Sequence, residues 1–177
     1  MRRLIALVTT ATFCLPCHAQ VTARQGTPDA SSAPREFKSP MILEVPFDPE
    51  SWPEANLRNA NNSIRLGRRL ELGEHSCDGV VVEHVTFARY KQRKGDVYYW
   101  VEVGTYTQPG IDKLAMVTVE ILRDSSSPPE AKVNLPKIDA EEKQHGAGRG
   151  TLSIPENLVA TSPPPTLRIT VSVRDNP

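Results

Sequence analysis

Apolar and polar residues alternate along most of this chain with a period of two. That spacing sends successive side chains to opposite faces of a β-strand. "GVVVEHVTFARY", "VYYWVEVGTY" and "KLAMVTVEIL" follow one another, separated by "KQRKGD" and "TQPGID". Both separators have turn chemistry, the second with Pro before Gly. The three runs read as a meander of antiparallel strands. The last run, "TLRITVSVRD", sends Leu167, Ile169, Val171 and Val173 inward and Thr170, Ser172 and Arg174 outward.

Register decides which face is core, because a slip of one residue exchanges the faces. Pairing Val85 with Val103, Phe87 with Val101, Val101 with Val119 and Val103 with Val117 keeps all three strands apolar on one side. Tyr99 and Ile121 extend that face and Ala115 ends it. The opposite face then carries Tyr90, Tyr98, Trp100, Glu102, Met116, Thr118 and Glu120, an aromatic and acidic strip on the outside of one sheet. Clustered Tyr and Trp beside polar groups are typical of interfaces. The strip, and within it Tyr90, Tyr98, Trp100, Glu102 and Glu120, is the candidate partner-binding surface. The plainer alternative is that the N-terminal segment covers it, or that its rings only pack on neighbouring side chains.

The flanking segments are shorter. Met41 to Val45 is a strand candidate, and Pro46, Pro49 and Pro53 then break regular structure around the anchoring Phe47 and Trp52. "SIRLGRRLEL" alternates Ile64, Leu66, Arg68, Leu70 and Leu72 on one face, a strand bent or bulged near Gly67. A helix is the alternative there, weakened by that glycine. "AKVNLPKI" reads as an edge strand interrupted by Pro136, "EEKQHGAGRG" as a mobile loop and "TLSIP" as a short strand. About eight short strands with recurrent turns predict an all-β, antiparallel β-sandwich of immunoglobulin or fibronectin III type.

The first 19 residues change the picture. Arg2 and Arg3 precede an apolar run from Leu4 to Leu15, and Cys17-His18-Ala19 offers a cleavage site, the pattern of a secretory signal peptide. The residues before Cys14 and Cys17 depart from a lipidation motif. The expected organisation is a signal peptide over 1–19, a flexible polar leader over 20–40 and one β-sandwich domain over 41–177, in a periplasmic or secreted protein. The whole chain has 21 basic and 21 acidic residues; losing Arg2 and Arg3 leaves 19 against 21, a net charge of −2. That balance does not point to nucleic acid or an anionic membrane. Cys77 is the one cysteine left, so no internal disulfide is expected.

Catalytic chemistry has little support in the pattern. His75, Cys77 and His84 lie close in sequence, with His145 further on. They lack the ligand number and spacing of a zinc site, and no third group completes a Cys–His pair. The Gly-x-Gly-x-Gly of 146–150 is followed by strand-like sequence, not by the helix a dinucleotide fingerprint requires. No cofactor or metal is expected. The sequence therefore favours a non-enzymatic domain that binds a protein or a cell-envelope component through a sheet face, an edge or end loops. An enzyme or metal protein using His75, Cys77, His84 and His145, and a structural domain of an envelope assembly, are the alternatives.

Overall fold

The structure, a computed structural model, describes residues 19–20, 35–58, 63–108, 113–135, 138–139 and 145–175. Residues 1–18 of the signal peptide expected over 1–19, and most of the leader expected over 20–40, lie outside the described residues. Strands dominate: β1 (Ala19–Gln20), β2 (Arg35–Phe37), β3 (Met41–Pro46), β4 (Glu54–Arg58), β5 (Ile64–Cys77) and β6 (Val80–Arg93). After them come β7 (Asp96–Thr107), β8 (Lys113–Leu122), β9 (Pro129–Asn134), β10 (Ile138–Asp139), β11 (His145–Pro155) and β12 (Thr166–Asp175). One short helix, α1 (Glu156–Val159), lies between β11 and β12. These twelve described strand segments exceed the eight expected, partly because short pieces such as β2 and β10 carry no pattern of their own.

Two sheets form. The first has the order β1-β3-β12-β8, with β9 and β10 both on the far side of β8. The second has the order β11-β7-β6-β5, with β4 and β2 both on the far side of β5. Pairing is antiparallel except at β1–β3 and β2–β5. Side chains from both sheets share one buried cluster, including Leu43, Val119 and Ile169 from the first and Val85, Val101 and Ile154 from the second. Phe47 and Trp52 enter it as anchors, in contact with Phe87, and Phe47 also meets Tyr99.

The β6–β7 hairpin has the expected register, Val85 opposite Val103 and Phe87 opposite Val101. The expected meander fails at the next step. β7 pairs with β11, whereas β8 lies in the other sheet, where Val117 and Val119 face Val171 and Ile169 of β12. The core residues are nevertheless the expected ones: Val101, Val103, Val117 and Val119 are all buried. In two sheets packed face to face, inward rows are apolar on both. A pattern that makes two strands compatible as neighbours makes them equally compatible across the core.

Two further segments differ from expectation. Residues 145–150, within the expected "EEKQHGAGRG" loop, open β11 and pair with β7 from His145–Tyr106 onward. Gly150 serves close packing, since a Cβ there would come within 2.8 Å of Leu135 and 2.9 Å of Val133. β5 runs on past Leu72 to Cys77, with a register shift between Glu71 and His75. Its pairing with β6 begins only at Arg68, and residues 64–67 pair with β4 alone. A Cβ on Gly67 would stand 2.7 Å from the Phe87 carbonyl oxygen. Glycine thus permits the close approach of β5 to β6 at the point where their pairing ends.

Candidate functional site

The outward faces of the two sheets differ in kind. On the first sheet Arg168 Nε donates to Glu44 at 2.7 Å, and its second nitrogen donates to the Ser125 carbonyl at 2.7 Å. Lys132 pairs with Glu120 at 2.9 Å, and the Thr118 hydroxyl donates to Asn134 at 3.0 Å. This face is a mutually satisfied polar ladder. Glu120, Thr118 and Met116 belong to it, because β8 lies in this sheet. Glu120 is therefore not beside Trp100, which corrects the strip expected from the meander.

The second sheet carries the rings. Trp100 lies opposite Ala88, and Tyr98 opposite Lys91. Register shifts between Arg89 and Lys91, leaving Tyr90 as an extra residue on β6. In a regular strand Tyr90 and Lys91 would point to opposite faces; the bulge lets both reach this one. Tyr90 stands 5.3 Å from Trp100 and 6.0 Å from Tyr98, centroid to centroid. Lys91 Nζ lies 4.6 Å from the Tyr98 ring and 5.3 Å from the Tyr90 ring. The β4–β5 ribbon brings the Arg65 guanidinium to 6.0 Å from both Tyr90 and Trp100. These are cation–π distances.

All three rings are half-buried, not free in solvent. Ala88, fully buried on this outward face, supplies the floor opposite Trp100. Leu57, in register with Arg65 on β4, is 1 % exposed yet lies outside the main core. The cover over part of the strip is thus the β4–β5 ribbon. Phe47 and Trp52 lie in the core instead. Trp100 Nε1 is buried with no hydrogen-bond partner among the described residues.

Two residues along β7 the face becomes ionic. Glu102 is 6 % exposed and accepts from Arg149 Nε at 2.7 Å. His84 Nε2 stands 3.8 Å from its other oxygen, too long for a hydrogen bond. Burial works against the Glu102 charge. His84 and Arg149 outweigh it and hold the carboxyl below the usual range. The His84 ring lies over Gly104, where any Cβ would come within 2.2 Å of it. Arg69 donates to the buried Thr86 hydroxyl at 3.1 Å.

Of the polar groups considered for catalysis, Cys77 and His84 lie on opposite faces of the second sheet. Cys77 is fully buried in the core, its sulfur 3.8 Å from the Val171 carbonyl oxygen, and burial pushes its thiol up to about 11. His75 stacks on Phe37 at 5.7 Å. His84 lies on the outward face beside Glu102, and His145 is the first residue of β11. Among the described residues no group of three or more His, Cys, Asp and Glu side chains converges as metal ligands would.

Arg65, Lys91 and Arg149 belong to the site although the sequence did not single them out. Lys91 fell in a segment read as a turn, and Arg149 in one read as a loop. Only Arg65 had a visible signal, its place on the polar face of "SIRLGRRLEL". The molecule is thus nearly all β, with two sheets and an aromatic, cation-bearing outer face on one of them. No family model, curated protein or solved structure matches this chain. No helix among the described residues is long and apolar enough to cross a membrane.

Proposed function

We propose that this chain is an exported, non-enzymatic β-sandwich of immunoglobulin or fibronectin III type, acting in the periplasm or outside the cell. It binds another protein or a cell-envelope component through the outward face of its second sheet. The observation that carries this reading is the Tyr90–Tyr98–Trp100 cluster. It sits on paired strands and keeps part of its surface in solvent, and the main buried cluster does not include it. Rigid aromatics held this way supply contact area at low entropic cost, and binding energy concentrates on such anchors. Its counterpart on the first sheet pairs Glu44 with Arg168 and Glu120 with Lys132 and carries no aromatic cluster among the described residues.

Trp100→Ala tests the proposal with two measurements on one protein. Removing a half-buried ring should cost about 2 kcal/mol of folding free energy, below the full cost of a core aromatic. Capture of partners from the organism's envelope extract should fall by about tenfold or more, as for an anchor residue. Undiminished capture by the folded variant would refute the assignment of this face.

A further inference from the structure

We infer, resting on the binding face just proposed, that its partner is an acidic protein segment that also carries apolar side chains. The rings alone would suit several ligands: a sugar, a quaternary ammonium group, a lysine. Their faces, however, are already engaged by cations of this chain. Arg65 stands over Tyr90 and Trp100, and Lys91 over Tyr90 and Tyr98. An incoming cation would meet like charge, and a sugar ring would have to displace Arg65 or Lys91 before it could stack. What these cations lack, among the described residues, is a paired carboxylate. Arg65, Arg69 and Lys91 form no ion pair among the described residues, whereas Arg149 on the same face is satisfied by Glu102. The π-faces hold Arg65 and Lys91 in place, so their N–H groups are positioned in advance for carboxylates.

The source of the anion follows from the neighbours of Arg65. Ile64 and Leu66 flank it on β5 and are 59 % and 64 % exposed. Both alternate with Arg65 and so point to the other side of β5, whose residues 64–67 pair with β4 alone. A polyuronate would leave them in water. A peptide of alternating acidic and apolar residues, added as a strand beside residues 64–67, sends its carboxylates to the Arg65 side and its apolar side chains to the Ile64 and Leu66 side, which supplies apolar burial in addition to charge. The acidic character first expected of this strip, from Glu102 and Glu120, would have selected a basic partner. With Glu102 neutralised by Arg149 and Glu120 on the other sheet, the charge preference reverses.

Fluorescence anisotropy of the purified protein with three probes tests this: a peptide of alternating Glu and Val, its Lys/Val counterpart, and polygalacturonate. The Glu/Val peptide should bind, the Lys/Val peptide should not, and polygalacturonate should bind about tenfold or more weakly. Raising salt from about 50 mM to about 500 mM should weaken the Glu/Val complex about tenfold or more. Arg65→Gln with Lys91→Gln should do the same, with the melting transition retained as the control for folding. No binding of the Glu/Val peptide, equal binding of polygalacturonate, or an unaffected double variant would each overturn the inference. If Trp100→Ala loses envelope capture while the double Gln variant keeps it, the binding face stands and the acidic partner falls.

Discussion

Glu102 is the residue at which burial and charge are most finely balanced. Its carboxylate is nearly excluded from water, yet Arg149 and His84 keep its pKa below the usual value. A carboxyl whose folded pKa is depressed adds stability above its unfolded pKa, about 4.3. That contribution fades as pH falls through the folded value. Glu102→Gln should therefore cost about 1.5–3 kcal/mol near neutrality, the worth of a hydrogen bond to a charged group. The difference from wild type should shrink as pH drops below about 4. Denaturant melts at a series of pH values would show it, and a difference that persists unchanged at low pH would mean that Glu102 is not ionised in the folded state. Cys77 is the contrasting case: its burial raises the thiol pKa and encloses the sulfur, which is packing chemistry, not reactivity.

At the scale of elements, the strands and their faces were largely legible, and their partners were not. Val85, Phe87, Val101 and Val103 set the β6–β7 register because the hairpin connection is short, with positive φ at Lys94 and Gly95. Nothing comparable ties β7 to β8, and an apolar row cannot tell a neighbour in the sheet from one across the core. Tyr98 and Trp100 could be placed on an outward face by alternation alone. Tyr90 and Lys91 met there through a bulge, and Arg65 through a segment that pairs with β4 alone, and neither feature leaves a period to read. Cysteine pairs separate the two topologies. Thr118→Cys with Thr170→Cys places the thiols on directly opposed residues of β8 and β12 and should cross-link under mild oxidation. Thr118→Cys with Glu102→Cys, neighbours in the meander, should not, because the two residues lie in different sheets. The reverse pattern of cross-links, read by non-reducing mass analysis, would restore the meander.

Over the whole molecule, the buried cluster joins two sheets whose outer faces have diverged. One binds its own charges to one another, through Glu44–Arg168 and Glu120–Lys132. The other holds Tyr90, Tyr98 and Trp100 beneath Arg65 and Lys91, beside a ribbon that exposes Ile64 and Leu66. Neither arrangement is required by the core, and under the proposed function the second face is the one that binds. The most direct measurement compares the faces in one experiment, as quantitative capture from the organism's envelope extract. One variant carries Tyr98→Ala and Lys91→Ala, and the other carries Thr118→Ala and Lys132→Ala; both are first shown to melt cooperatively. The second-sheet variant should lose capture by about tenfold or more, as loss of an aromatic anchor and its cation implies, while the first-sheet variant matches wild type. Capture kept by the Tyr98, Lys91 variant and lost by the Thr118, Lys132 variant would place the binding surface on the wrong sheet and contradict the account.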